Sequence, residues 1–470
     1  MRSALLPFAL AALAALAGPT LAPRAALAAG ASDVKLDIPF TKRTLPNGLT
    51  VILHEDHALP FVAVDAMVKV GSHFEEQGRT GFAHLFEHLM FMGTKRVPTK
   101  MFDTWMEAEG GSNNAWTSED RTDFHEVGPA HSLPLLLWLE ADRFSSLGQD
   151  MTQEKLDTQR EVVRNERRQS YENQPYAKAD LRLPELLYPE GHPYHHPVIG
   201  SHADLQAATV GDVKAFFARW YAPNNVSLVV AGDIDPAKVG PEIDRLFGWM
   251  PRSELPPEAA PPTPVLKGVV RETRTDEVKL PKIIMAWHSP KHFAPGDAEL
   301  DLFAEILQHG KASRLYKALV YDHPLAQEVS AAQHSQDLSS YFSIEAIAQP
   351  GVSLDTLEGA IDAELAKATA APPTAEELSR AQNQFETAFV ERLEAVPARA
   401  ALLNQYQQSV GDPGYAEKDL ARYRAATAAS VQVIAKQVLD PNARVILRVI
   451  PADAPKSPGA PGAPDAKGGK

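Results

Sequence analysis

The stretch HLFEHLMFMG at residues 84–93 places three polar side chains on one side of an otherwise apolar helix. Taking about 100° of rotation per residue, His88 lies about 40° from His84, and Glu87 about 60° away on the other side. The remaining faces carry leucine, phenylalanine and methionine, which predicts a buried helix. The two imidazoles can therefore meet at one ion, with the carboxylate beside an open coordination position.

Such polar groups could also be buried and satisfied by hydrogen bonds to neighbours. Three of them on one apolar helix are costly to bury without an ion or partners, which favours a metal site. The chain has no cysteine, so any metal must be bound by His, Asp or Glu. The spacing H-x-x-E-H is the inverted zincin pattern, which assigns His84 and His88 as zinc ligands and Glu87 as the base that activates water.

A catalytic zinc ion takes three protein ligands and leaves one position open. Glu166 is our candidate for the third ligand, because helical projection places it between Val162 and Val163, in an arc that Leu156 completes. A carboxylate in an apolar arc needs a cation or hydrogen bonds. Glu161 projects away from that arc and is interpreted as a solvated residue. The alternative for Glu166 is a salt bridge with an arginine of another element.

The two halves of the chain resemble a diverged repeat. The segment at 84–93 aligns without gaps with DLFAEILQHG at 301–310. The apolar positions and the final glycine match, whereas the metal-type residues face Asp301, Ala304 and Glu305. Chance similarity between two amphipathic helices is the alternative. A true repeat predicts that the first half keeps the chemistry and that its copy has lost it.

Composition at the ends and in the middle of the chain suggests where its domains begin and end. Residues 1–29 resemble a signal peptide, with Arg2, an apolar run from Ala4 to Ala17, and a small-x-small site at 26–28. Cleavage after Ala17 and a membrane anchor are alternatives, although the run is short for a bilayer span. We then expect a zinc-binding domain at 30–250, a proline-rich linker at 251–268, a degenerate repeat domain at 269–450 and a disordered tail at 451–470.

The overall composition excludes some classes of function. The 470 residues carry a formal charge of −14, which argues against binding to nucleic acid. A hydrophobic fraction of 44% is ample for sizeable cores, and nothing after the first thirty residues resembles a transmembrane helix. We therefore expect an exported protein without a membrane span, located in the periplasm of a Gram-negative bacterium.

Several segments resemble the pitrilysin/insulinase family of inverted zinc peptidases, and most closely its shorter members that are similar to the mitochondrial processing peptidase. They follow HLFEH in family order: GGSNNAWTSEDRTDF, NERRQSYENQPY, HPYHHPVIGS and WYAPNNVSLVVAGDIDP. The resemblance implies His84, His88 and Glu166 as ligands of one Zn²⁺ per chain, and Glu87 as the base. It also implies an α+β fold of two related halves, each an antiparallel-rich sheet with helices packed on it. Chains of this size in the family pair to form a clam-like chamber.

The resemblance also suggests how substrate is bound. Gly111, Ser112, Asn113, Asn114 and Ala115 resemble the family's substrate-aligning edge strand, which would bind peptides by strand addition. An ordinary Asn/Gly turn is the alternative. His192, His195 and His196 could suggest a second metal, but their Gly-His-Pro-Tyr setting favours a packed loop.

The chain departs from the family pattern at two places. Many members have a glutamate where this chain has Gln159, and an amide cannot share a proton in an auxiliary role. Members that act alone or as identical pairs usually carry an Arg and a Tyr in the second half, where this chain has Val320 and Gln327. We therefore expect a homologous partner subunit that supplies both groups, unless a nearby residue such as Arg314 compensates.

The sequence thus predicts a zinc endopeptidase that cleaves unfolded peptides, as one subunit of a hetero-oligomer. A non-catalytic core subunit with the same fold is the main alternative, and the intact HLFEH argues against it. A dedicated processing peptidase for one precursor is a further alternative that the sequence leaves open.

Overall fold

The computed structural model describes residues 36–258 and 261–452, and the described residues from Asp37 onward form one compact unit. Within the described residues, six strands form a first sheet. These are β1 (Thr41–Thr44), β2 (Thr50–Glu55), β3 (Phe61–Val68), β4 (Ser112–Thr117), β5 (Thr122–Pro129) and β6 (Val226–Gly232). Five strands form a second sheet: β7 (Val270–Asp276), β8 (Lys282–Ser289), β9 (Ala326–His334), β10 (Ser340–Ala348) and β11 (Val445–Pro451).

The two sheets have the same topology. The strand order is β1-β2-β6-β3-β5-β4 in the first sheet and β7-β11-β8-β10-β9 in the second. One pair in each sheet is parallel, β2 with β6 and β7 with β11, whereas the other pairs are antiparallel. This match confirms the predicted α+β fold of two related halves, and β1 is an addition to the first.

The helices also follow the same order in both halves. The first half contains α1 (Phe82–Leu89), α2 (Met101–Ala108), α3 (Leu133–Asp150), α4 (Gln153–Arg167), α5 (Ala177–Leu187), α6 (His202–Ala207), α7 (Val210–Trp220) and α8 (Pro236–Phe247). The second contains α9 (Asp297–Gln308), α10 (Arg314–Tyr316), α11 (Leu354–Ala370), α12 (Ala375–Arg392), α13 (Val396–Val410), α14 (Ala416–Ala425) and α15 (Ala428–Val438). Helix α9 follows β8 as α1 follows β3, so the aligned segments at 84–93 and 301–310 occupy equivalent places.

The halves exchange one helix each. Helix α13, from the second half, packs on the first sheet, where Ala400 and Leu403 contact Ile52 and Val229. In return, α5 packs on the second sheet, with Leu183 among its buried contacts. The central strands of both sheets are therefore buried on both faces, which explains their continuous apolar runs. The exchange also makes the core of each half depend on the other half.

The predicted domain boundaries remain predictions, but the structure describes parts of the segments they divide. No helix or strand forms at 251–258 or 261–268, within the proline-rich segment. Strand β11 continues through Pro451, one residue into the segment predicted as a tail. The predicted signal peptide at 1–29 and residues 453–470 lie outside the described residues. No helix among the described residues is long and apolar enough to cross a bilayer.

Candidate metal centre

Helix α1 begins at Gly81, where the backbone has a φ of 86°. A Cβ atom at this position would lie 2.8 Å from the carbonyl oxygen of Ile199, so glycine permits both the left-handed conformation and the close approach of a loop. The buried carboxylate of Glu75 accepts hydrogen bonds from the backbone N–H groups of Gly81 and Ala83, at 2.8 and 2.7 Å. These contacts satisfy N–H groups at the helix start that have no partner within the helix, and they fix its direction.

Both histidines of α1 direct Nε2 at the same carboxylate. Nε2 of His88 lies 3.2 Å from one oxygen of Glu166, and Nε2 of His84 lies 3.7 Å from the other. The two ring centroids are 4.7 Å apart, with the ring planes at 75°. The structure therefore brings together the three side chains that the sequence nominated as ligands, although they come from two helices.

These donor atoms fit a zinc ion. With Zn–N and Zn–O bonds of about 2.0–2.1 Å in a tetrahedron, neighbouring donors lie about 3.3 Å apart, close to the observed separations. Burial, and then the neighbouring His88, lower the pKa of His84 to about 4, which keeps the imidazole in the neutral form that can bind a cation. The hydrogen bond from His88 lowers the pKa of Glu166, which favours the carboxylate. The donor set thus has the donor types and spacing of a His₂-carboxylate site.

The surroundings of Glu166 differ in part from the helical projection. Val163 and Leu156 are fully buried, as expected, but Val162 is 42% exposed, so Glu166 lies at the border of the apolar arc instead of within it. Glu161 is solvated and pairs with Arg164 at 2.6 Å, as its projection predicted. Glu166, on α4, faces the two histidines of α1. The structure therefore does not support the alternative of a salt bridge between Glu166 and an arginine.

Glu87 lies in the same cluster but has a different neighbour. Donor atoms of His84, Glu87 and His88 all lie within 4.8 Å of one another. The hydroxyl of Thr117, on β4, donates a hydrogen bond to Oε2 of Glu87 at 2.5 Å. Burial raises the pKa of Glu87, while this hydrogen bond opposes the rise. Glu87 is therefore held on the side of the site that faces β4, whereas Glu166 contacts both imidazoles directly.

Strand β4 lies at the edge of the first sheet. It pairs only with β5 among the described strands, and its side chains alternate between exposed and half-buried positions. Residues 112–115 belong to this strand and Gly111 directly precedes it, so the segment is not the simple turn that we considered as the alternative. The free edge exposes backbone groups next to the residue that contacts Glu87.

Gln159 lies on α4, seven residues before Glu166. Burial lowers the pKa of His88, but Glu166 outweighs it and raises this pKa, with Gln159 a minor contributor. The amide oxygen of Gln159 is buried and has no hydrogen-bond partner among the described residues. The side chain also donates to the sulfur of Met92 at 2.8 Å. The structure thus places Gln159 near the cluster, hydrogen-bonded to Met92, where an amide cannot transfer a proton.

Comparison with known proteins places the chain in a family. The model described as Insulinase (Peptidase family M16) matches residues 50–191, and the model described as Peptidase M16 inactive domain matches residues 207–385. The zinc protease PqqE of Helicobacter pylori is 31% identical over 372 residues, which cover 77% of this chain and 82% of that protein. The chain belongs to the M16 family.

Solved structures of M16 proteins show the same fold. The crystal structure of a protease from Helicobacter pylori matches with a TM-score of 0.81 and 26% identity, covering 88% of this chain and 99% of the other. A peptidase M16 inactive domain from Pseudomonas fluorescens matches with a TM-score of 0.79 and 18% identity, over 89% and 99% of the two chains. The M16 family includes metalloproteases, and it also includes inactive members.

The second half of this M16 chain does not reproduce the cluster. Ala304 occupies the place of Glu87, and Asp301 accepts a hydrogen bond from the hydroxyl of Tyr423 at 2.7 Å. Among the described residues, no grouping of three potential metal-binding side chains is found in the second half. This agrees with the match of the second half to an M16 inactive domain.

The positions where many M16 members carry Arg and Tyr also lie in the second half. Val320 packs against its hydrophobic core, and Gln327 is exposed on β9. Arg314 forms two hydrogen bonds with the carboxylate of Glu377, at 2.8 and 2.7 Å, and this guanidinium lowers the pKa of Glu377 to about 2. Arg314 is therefore engaged elsewhere in the second half and is a poor substitute for the missing cation.

The histidines at 192–196 form a packed loop. Nδ1 of His192 accepts a hydrogen bond from the backbone of Tyr194 at 3.0 Å, and its ring stacks on Tyr188. Nδ1 of His195 lies 2.8 Å from the carbonyl oxygen of Tyr188. These contacts favour the packed loop over a second metal site.

Sequence reasoning missed two residues that position the cluster. Glu75 caps α1 and Thr117 binds Glu87, yet neither belongs to the motif. Glu75 lies six residues before Gly81, the N-cap of α1, and a glutamate at this distance is only a weak sequence signal for such a contact. Thr117 gave none, because its contact with Glu87 depends on where β4 lies beside α1.

Proposed function

We propose that this chain is a zinc-dependent endopeptidase that hydrolyses unfolded peptides. The observation that carries the proposal is the convergence of both Nε2 atoms and Glu166, with Glu87 held separately against β4. His84, His88 and Glu166 would hold one Zn²⁺ per chain. When bound, zinc supplies the Lewis acidity that activates water and polarises the peptide carbonyl.

The remaining chemistry belongs to the residues of the chain. Glu87 accepts the proton of the attacking water and delivers it to the leaving amine. Gly111 and the β4 residues Ser112, Asn113, Asn114 and Ala115 would bind substrate, because the free edge of β4 can pair with an extended peptide through backbone hydrogen bonds. This mode selects for extended conformation more than for sequence. It therefore fits unfolded peptides as the substrate class.

Thr117→Val tests whether the β4 contact positions Glu87. The substitution keeps the side-chain shape but removes the hydroxyl that donates to the Glu87 carboxylate. A hydrogen bond to a charged group contributes roughly 1.5–3 kcal/mol, so we expect kcat to fall about 10-fold or more. KM and zinc content should change little, and Thr117→Ser should restore kcat. An unchanged kcat for Thr117→Val would show that Glu87 is positioned by other contacts.

We further propose that the active assembly is a hetero-oligomer. The support is the absence of the Arg and Tyr at Val320 and Gln327, together with the engagement of Arg314 by Glu377. A homologous subunit would supply the cation and the phenol, and pairing would enclose the substrate in a clam-like chamber. We also propose export to the periplasm, on the basis of the signal-like residues 1–29.

The isolated chain should hydrolyse unfolded peptides weakly, and a homologous subunit that carries Arg and Tyr should raise the rate by at least 10-fold. The measurement is cleavage of a denatured, fluorescently quenched protein, with and without the product of the adjacent gene, and with a chelator control. Full activity of the isolated chain, unchanged by the partner, would remove the hetero-oligomer from the proposal.

Zinc analysis and the cleavage assay together separate the proposal from its alternatives. A non-catalytic core subunit should contain no stoichiometric zinc, and elemental analysis of the purified chain decides this directly. A dedicated processing peptidase should cleave one precursor and leave generic unfolded peptides intact. The open edge of β4, which offers backbone groups to any extended chain, favours the broader activity.

A further inference from the structure

One cavity of the first half is lined by residues outside the metal cluster. It is bounded by α3, by α7 with the turn that follows it, and by residues 249–252 after α8. Its volume of about 570 Å³ is within the range of small-molecule sites. None of its lining residues belongs to the predicted zinc ligands, the base or the substrate strand.

Aromatic rings form much of the wall of this cavity. Phe217 and Tyr221 stack with their ring centroids 5.8 Å apart and their planes at 12°, and Phe144 lies 5.8 Å from Tyr221. Gly148 on α3 allows Phe217 to lie close, because a Cβ at that position would come within 2.5 Å of its ring. Tyr221 and Phe144 are buried, so the half-buried ring of Phe217 is the part of this wall that a flat ligand can contact.

Trp249 lies at the cavity and remains exposed. It is 62% exposed, whereas the next residue, Met250, is buried. A large aromatic side chain is costly to leave in water, and an exposed one beside an apolar cavity is typical of a binding surface. Trp249 can cover a ligand that stacks on the wall.

The charged residues that line the cavity are all basic. Lys214 and Arg252 line it, and no acidic residue does. Within 36–258 and 261–452, neither cation forms a salt bridge, and the ammonium group of Lys214 contacts only the carbonyl oxygen of Gln149, at 3.5 Å. Acidic residues outnumber basic ones by 60 to 46 in this chain, so two unpaired cations at one apolar cavity are unusual and complement an anion.

We propose that this cavity binds a small aromatic anion, a planar apolar body that carries one carboxylate or sulfonate group. The aromatic body stacks between Trp249 and Phe217, whose ring packs on the buried Tyr221. Its acidic group pairs with Lys214 and Arg252. Tyr221 also packs against Phe86 of α1, with ring centroids 4.4 Å apart, so the ligand lies behind the helix that carries the histidines. The residues that line this cavity are distinct from those assigned to the proposed peptidase chemistry.

Fluorescence titration with 8-anilinonaphthalene-1-sulfonate tests the site, with neutral N-phenyl-1-naphthylamine as the matched probe that lacks the charge. We expect saturable binding of the sulfonate. Trp249→Ala should weaken both probes at least 10-fold, because it removes the stacking surface. The double variant Lys214→Ala/Arg252→Ala should weaken the sulfonate at least 10-fold and the neutral probe by less than 3-fold.

The control variant is Tyr321→Ala, which removes another strongly exposed aromatic side chain, 76% exposed, in the second half. It should bind both probes like the unaltered protein. Far-ultraviolet circular dichroism should be unchanged for all the variants, since the altered side chains are at the surface. Equal sulfonate affinity of the unaltered protein, Trp249→Ala and the double variant would overturn the proposal, as would an equal loss of both probes in the double variant.

Discussion

Glu87→Gln should reduce peptide turnover by about 10²–10⁴-fold, the range that general acid–base groups contribute. Zinc content should remain that of the unaltered protein. Glutamine keeps the size of the side chain and can still accept the hydrogen bond from Thr117, so the local structure should persist. What it loses is the ability to accept the proton of water. The two imidazoles and Glu166 are untouched, which is why metal binding should survive.

The measurement is kcat on an unfolded peptide, together with elemental analysis of the same sample. Glu305→Gln is the matched control, because it removes a half-buried carboxylate from α9, the equivalent helix of the second half. That variant should retain turnover. Retained activity in Glu87→Gln would show that another group is the base, whereas loss of zinc would show that Glu87 is itself a ligand.

Much of the fold followed from local patterns. The apolar periodicity of α1 depends on neighbours within a few residues, and this helix forms where the sequence predicted it. The related halves were visible because aligned helices kept their apolar positions. The exchange of α5 and α13 was not visible, since nothing in the sequences of these helices says which sheet they cover.

In the candidate site too, the features set by local sequence could be predicted, and those set by tertiary contacts could not. The histidines and Glu87 share one short helix, so their common face could be calculated from the helix geometry. Glu166 lies on a different helix, and only its place in the cluster shows that it faces the histidines. The projection could not detect that Val162 is exposed, because an ideal helical arc does not reveal where the neighbouring elements end. Thr117 and Glu75 depend entirely on tertiary contacts.

Glu166→Ala should strip the metal from the protein. The substitution removes one of three donors and the only negative charge among them, and it leaves two imidazoles on one helix. Loss of a partner that merely orients a ligand costs about 10–100-fold in metal affinity, so loss of a direct ligand should cost more than that. Because Glu166 is half exposed and caps no helix, the fold should not depend on it.

Glu161→Ala is the control that makes this result specific. It removes a carboxylate from the same helix, five residues earlier, where the side chain is solvated and pairs only with Arg164 on α4. This variant should bind zinc like the unaltered protein, and both variants should unfold at similar denaturant concentrations when measured without metal. If Glu166→Ala kept full zinc occupancy, Glu87 would become the third ligand, since it is the other carboxylate near both histidines. The base would then have to be sought elsewhere, because one carboxylate cannot both coordinate the ion and accept the proton from water.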